Sequence, residues 1–146
     1  MAMAGTPLSH DDRRVILRRV GCRSHVPYPN SVPLRIIQDA IDRPTLLAMA
    51  PELGDMVKAV VDVERRVLAI GGEMHADEEA ALLDDGSRQA DLWGINLYPA
   101  EAGPDWIEFD SMINVRPSRG NRSRDVEDPS IRDAIRRVVT SLIRGT

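Results

Sequence analysis

The chain has little cysteine and no long apolar run, and each shortage excludes a class of protein. Its single cysteine, Cys22, excludes the internal disulfide framework that stabilises many small secreted domains. No segment approaches the ~20 consecutive apolar residues that span a bilayer. The N-terminus also lacks the apolar stretch of a secretory signal. These features predict a soluble cytoplasmic protein with no membrane partner.

Aromatic residues make up only 3% of the chain and lysine is confined to Lys58, against eighteen arginines. An aliphatic core is therefore expected. The overall excess of arginine over lysine is attributed to a coding bias toward GC-rich codons. Only arginines that cluster in the sequence are therefore considered as functional candidates. Residues 73–110 hold eleven acids and one arginine, a net charge of −10, whereas residues 111–146 hold eight arginines and four acids, a net charge of +4. The total of −4 does not favour general nucleic-acid binding, which only a local patch could support.

Two regions are predicted from composition. Residues 1–33 are basic and end in a segment with three prolines, which favours an extended, poorly ordered N-terminal extension. Residues 34–146 are long enough to form a single compact domain with its own core.

The patterning of residues 34–146 predicts the order β-α-β-β-α-β-β-α. A short first strand precedes two hairpins, one over 56–71 and one over 91–115, and the alternation of Trp93, Ile95 and Leu97 places these residues on one face. Helices are expected to begin at Asp42, near residue 76, and at Asp128 before Pro129. The expected fold is α+β, with a mainly antiparallel sheet and the helices on one face.

Five ungapped segments resemble a small prokaryotic family known only as domain of unknown function 5674. They are GDMVKAVVDVE (54–64), AIGGEMHADEE (69–79), DLWGINLYP (91–99), WIEFDSMINVRPSRGNRS (106–123) and VEDPSIRDAI (126–135). The resemblance implies a compact standalone domain over most of residues 34–144. It implies no activity, cofactor or catalytic residue.

The segment RPSRGNRSR, residues 116–124, is the leading candidate for a binding site. Its guanidinium groups suit a phosphate or carboxylate, and Gly120 with Asn121 could turn successive backbone N–H groups toward an anion. The predicted ligand-binding residues are Arg116, Arg119, Asn121, Arg122, Asn114 and Trp106. The alternative interpretation is structural: these arginines pair with Asp125, Glu127, Asp128 and the acidic middle region.

A second candidate lies in EMHADEE, where Glu73, His75 and Asp77 alternate and could bind a divalent metal or exchange protons. The alternative is an ordinary acidic helix N-terminus, with His75 or Asp77 as its cap. A third candidate is Asp62 with Glu64, at the end of a strand, if their carboxylates meet that of Asp110 on the neighbouring hairpin and share a proton or magnesium; solvent-facing strand positions explain them equally well.

Three functions fit these patterns. The leading hypothesis is a domain that binds a small anionic ligand through the arginine and asparagine loop. One alternative is a phosphoester hydrolase that uses Asp62, Glu73, His75 and Asp77 beside that loop. Another is a protein-interaction or oligomerisation module with faces of opposite charge. No nucleotide-binding, nucleophile-elbow or zinc motif is present to identify a cofactor or a reaction.

Overall fold

The computed structural model describes residues 34–50 and 55–145, so the predicted extension over 1–33 lies outside the described residues. The strands are β1 (Arg35–Ile37), β2 (Ile41–Asp42), β3 (Val57–Asp62), β4 (Val67–Ile70), β5 (Leu92–Leu97), β6 (Ile107–Glu108) and β7 (Ile143–Arg144). The α-helices are α1 (Arg43–Leu47), α2 (His75–Asp84) and α3 (Pro129–Leu142). None of the described helices has the length and apolar character needed to cross a bilayer.

Five strands form one antiparallel sheet in the order β1-β4-β3-β5-β6. The short strands β2 and β7 form a separate parallel pair, in which Ile41 lies opposite Ile143. This architecture confirms the predicted α+β class, the mainly antiparallel sheet and the hairpin between β3 and β4.

Helices cover both faces of the sheet. On one face, the side chains of Ala59, Val61 and Ile95 belong to the core that includes Ile135 and Val139 of α3. On the other face, a smaller cluster brings Leu82 of α2 against strand residues; its strand members are Val60, Val67, Ala69 and Leu92. The prediction that the helices share one face is therefore wrong. Strands β3 and β4 carry buried side chains on both faces, so both faces must be covered.

Two of the predicted helix caps are present. Asp128 accepts a hydrogen bond from Ser130 N at 2.8 Å and Asp42 accepts one from Thr45 N at 2.9 Å, which fixes the starts of α3 and α1. At α2, Met74 occupies the N-cap position and forms no side-chain capping bond. The prediction that His75 or Asp77 caps this helix is wrong, because the helix begins at His75 itself.

The predicted strand over 105–115 is wrong beyond Glu108, where β6 ends. From Ser111 the chain crosses over Gly94 of β5 and makes a 3-10 turn, Met112–Asn114. This crossing depends on Gly94, because a Cβ at that position would lie 2.5 Å from the Ser111 side chain. Because Gly94 has no side chain, the segment that leads to the arginines can pass close to β5 at this position.

Candidate functional site

Side chains replace a neighbouring strand along the outer edge of β5. Beyond the short pairing with β6, the Asn114 side chain accepts a hydrogen bond from Gly94 N at 2.8 Å and donates one to Gly94 O at 2.9 Å. Two residues further along β5, Nη2 of Arg116 donates to Leu92 O at 2.6 Å. The edge of the sheet therefore fixes both the 3-10 turn and the first arginine of the loop.

Asn121 organises the loop from within. Its buried side chain donates through Nδ2 to the carbonyl oxygens of Asn114 and Asp125, both at 2.7 Å, and to that of Ser123 at 3.1 Å. Its Oδ1 accepts from Glu127 N at 2.8 Å. The amides of Asn114 and Asn121 are thus turned inward, where they shape the loop that presents the arginines.

The N–H groups of Gly120 and Asn121 bond to backbone carbonyl oxygens, and it is the next two residues that hold a carboxylate. The backbone N–H groups of Arg122 and Ser123 donate to Oε2 of Glu127 at 2.9 and 2.8 Å, and the Ser123 hydroxyl donates to the same oxygen. These bonds, the Ser123 hydroxyl first, lower the pKa of Glu127. In the same segment Arg124 pairs with Asp110 at 2.6 Å. The structural interpretation therefore holds for Arg124, whereas Glu127 is bound through backbone N–H groups and the Ser123 hydroxyl.

The first half of the segment is arranged differently. Arg116 and Asn121 form an isolated antiparallel bridge, and the chain between them makes a 3-10 turn, Pro117–Arg119. Gly120 ends that turn with φ of 83°, a conformation that favours glycine. The turn projects the exposed side chain of Arg119, whose charge helps to lower the pKa of Arg116.

Arg116 is held rigidly and lacks one hydrogen-bond partner. Its guanidinium lies over the ring of Trp93 at 4.8 Å, and its Nη2 lies 3.7 Å from Oε2 of Glu79, which is too long for a hydrogen bond. Burial is the main cause of its lowered pKa. Neither Nη1 of Arg116 nor Oε2 of Glu79 has a hydrogen-bond partner in the structure. A buried donor and a buried acceptor are thus left unsatisfied side by side.

These two side chains line a cleft of about 470 Å³ between α2 and the arginine turn. The lining residues are Glu79, Gln89, Ala90, Met112, Ile113, Val115, Arg116, Pro117, Ser118 and Arg119. Two arginines and one glutamate line this space, and the rest of the lining mixes polar and apolar side chains. We take this cleft as the candidate functional site.

Trp106 lies outside this cleft. Its side chain is only 4% exposed, and the guanidinium of Arg43 lies over its ring at 4.0 Å. The prediction that Trp106 has a surface role is therefore wrong: it belongs to the main core and forms part of the wall of a second cleft, with Arg43 and Arg136. The surface position was predicted from the alternation of side chains along a strand. That alternation does not apply to Trp106, because the residue lies in a 3-10 turn, Pro104–Trp106, and not in β6.

Asp62 has a structural role in the hairpin. Its fully buried carboxylate accepts hydrogen bonds from Glu64 N and Arg65 N, and from the hydroxyl of Ser87 at 2.6 Å. It pairs with Leu92 in the sheet, whereas Asp110 lies beside Asn96, four residues along β5 and about 13 Å away. The structure does not bring these two carboxylates together.

The other acids of the second candidate do not converge either. Nε2 of His75 lies 2.8 Å from Ile95 O, and burial lowers the pKa of this histidine. Glu73 and Asp77 are exposed, and Asp77 lies two helix positions from His75, toward a different side of α2. Within residues 34–50 and 55–145, no three His, Cys, Asp or Glu side chains are grouped as metal ligands.

Two glutamates of α2 are not among the site residues predicted from the sequence. Glu78 is fully buried; its Oε2 accepts from Gly72 N at 2.9 Å, its Oε1 has no partner, and burial raises its pKa to about 9. The four-residue spacing of Glu78 and Leu82, both buried, was a signal that this glutamate faces the sheet. Glu79 lies four residues after His75, but no feature of the neighbouring sequence indicates that it lies beside Arg116.

Comparison with known proteins gives a family and no activity. Residues 35–142 match the family described as Protein of unknown function (DUF5674), which confirms the resemblance of the five segments. No curated protein and no solved structure matches the chain.

Proposed function

This chain belongs to the DUF5674 family, and we propose that it binds a small anionic ligand, a carboxylate or a phosphate, in the cleft between α2 and the arginine turn. The observation that carries the proposal is the unsatisfied Nη1 of Arg116 in the wall of that cleft. A buried donor without a partner costs roughly 1–3 kcal/mol, so its retention at a concave surface favours a binding role.

The charges of the cleft favour an anion. Arg116 and Arg119 contribute two positive charges against the one negative charge of Glu79. A guanidinium group offers a planar set of donors that matches carboxylate and phosphate oxygens. Arg119 reaches the cleft from an exposed turn and can approach the ligand from the solvent side.

Rigidity and size support the same function. Trp93 and Leu92 O fix the guanidinium of Arg116 before a ligand arrives, so little side-chain entropy is lost on binding. The volume of about 470 Å³ suits a small molecule. We place this function in the cytoplasm, because a chain with one cysteine is compatible with a reducing compartment.

Isothermal titration calorimetry with inorganic phosphate and with acetate tests the proposal. The expected result is saturable binding by the wild type and at least about tenfold weaker binding by Arg119→Ala, since one charge-assisted hydrogen bond is lost. Arg122→Ala is the matched control, because Arg122 is an exposed arginine of the same loop that does not line the cleft. Equal affinities for Arg119→Ala and the wild type would contradict the proposal.

A further inference from the structure

We infer that the ligand of this cleft is a small zwitterion, which carries a primary ammonium group for Glu79 beside the anionic group for the arginines. This inference rests on the proposed function and names the class of ligand. Its basis is that the cleft presents an unsatisfied acceptor as well as an unsatisfied donor.

Glu79 is placed as a recognition group. Its side chain is 15% exposed, and it lies on α2 and lines the same cleft as Arg116, whose side chain is 12% exposed. In the described part of the chain five buried side-chain nitrogen or oxygen atoms have no hydrogen-bond partner, and two of them belong to these adjacent residues. The coincidence indicates one site with two complementary groups.

The two residues do not satisfy each other. Nη2 of Arg116 is committed to Leu92 O, and the 3.7 Å separation from Glu79 Oε2 leaves the carboxylate without a donor. The ring of Trp93 and the edge of β5 keep the guanidinium from moving closer. Glu79 therefore retains an acceptor for a group that comes from outside the chain.

A simple anion would satisfy only half of this arrangement. It would supply acceptors to Arg116 and Arg119, but it would bring like charge toward Glu79 and leave Oε2 without a donor. An ammonium group attached close to the anionic group removes both defects, because it donates to Oε2 and offsets the repulsion. Oε2 of Glu79 lies 3.7 Å from Nη2 of the Arg116 guanidinium, so the amine and the acid of the ligand must be close together, one or two carbons apart.

The apolar lining indicates what the rest of the ligand resembles. Met112, Ile113 and Val115 are among the lining residues, and Met112 is 65% exposed. Such surface is stabilised by contact with an apolar group of a ligand. A small amino acid with an apolar side chain, or an aminoalkyl phosphonate, has all three chemical features.

Two matched pairs of probes test the inference on the full chain. Norleucine and hexanoate share a carbon skeleton and a carboxylate, and 2-aminoethylphosphonate and ethylphosphonate share a phosphonate. In calorimetric titrations of the wild type, the amine-bearing member of at least one pair should bind at least about tenfold more tightly than its partner. The pair that shows the preference identifies the anionic group.

Glu79→Gln keeps the shape of the side chain and removes its charge. In this variant the preference for the amine-bearing probe should disappear, while the amine-free member binds as tightly as before or more tightly. Glu73→Gln is the matched control, an exposed glutamate just before the same helix, and it should retain the wild-type preference.

The outcomes separate the two proposals. Equal binding of both members of each pair by the wild type, or a preference that survives in Glu79→Gln, overturns the zwitterion and leaves anion binding in place. Failure of all four probes, together with phosphate and acetate, overturns both.

Discussion

The side-chain amide of Asn114 pairs with the backbone of Gly94 as an adjacent strand would, accepting from its N–H at 2.8 Å and donating to its carbonyl oxygen at 2.9 Å. The pairing completes the edge of β5 after β6 ends. It also brings Arg116, two residues later, to Leu92 O. The position of the candidate ligand group therefore depends on a hydrogen-bonded edge within the fold.

Asn114→Asp should destabilise the protein while changing a single group. The substitution replaces the Nδ2 donor with an oxygen that faces the carbonyl oxygens of Gly94 and Arg124. Burial of unsatisfied and repelling acceptors should lower the free energy of unfolding by about 3 kcal/mol. Urea denaturation measures the change, and Gln89→Glu, at an exposed amide, should have little effect. A similar stability for Asn114→Asp and the wild type would refute the edge-pairing role.

Gly94→Ala tests the close crossing of Ser111 over the sheet. The added Cβ would lie 2.5 Å from the Ser111 side chain and 3.2 Å from that of Ile113, so the crossing segment must shift. The expected loss in free energy of unfolding is about 1–3 kcal/mol. Ser111→Gly in the same chain removes the clashing atoms. The double variant should be more stable than the sum of the two single effects predicts; strict additivity would show that the two residues do not meet.

Glu78 should make stability depend on pH. Its carboxyl ionises near 4.5 in the unfolded chain and near 9 in the folded protein. Between these values the folded state holds one extra proton, so the contribution of Glu78 to stability falls as pH rises, by up to about 1.4 kcal/mol per pH unit.

Glu78→Gln imitates the protonated carboxyl and removes this dependence. Measured by urea denaturation at pH 5, 7 and 9, the variant should gain stability relative to the wild type as pH increases. Glu73→Gln, at an exposed position, should show a constant difference from the wild type. A constant difference for Glu78→Gln as well would mean that Glu78 is ionised in the folded protein.

Local signals predicted much of the fold. Asp128 before Pro129, and Asp42 before Pro44, fixed two helix starts because a capping carboxylate acts within three residues of the chain. The alternation of Trp93, Ile95 and Leu97 identified the face of β5 that joins the main core, because side chains alternate across a strand. These features depend on neighbours in sequence and are visible in it.

The site was predicted only in part, because its chemistry depends on distant contacts. Arg116 and Arg119 were identified from their clustering, and both line the cleft. Asn121 was predicted to bind the ligand because asparagine is common in binding loops. Its side-chain amide instead bonds to backbone groups of the loop itself. The partner of Arg116, Glu79, lies 37 positions earlier, and only the crossing allowed by Gly94 brings them together.

The most direct test of anion binding in the cleft of Arg116 and Arg119 is to locate the bound anion. Titration of the ¹⁵N-labelled protein with inorganic phosphate, followed by NMR of the backbone amides and arginine Nε–H groups, identifies the arginines that respond. The account predicts saturable shifts at Arg116 and Arg119, with Arg43 and Arg136 of the second cleft unchanged. Shifts confined to Arg43 and Arg136, or no saturable shift at Arg116 and Arg119, would contradict it.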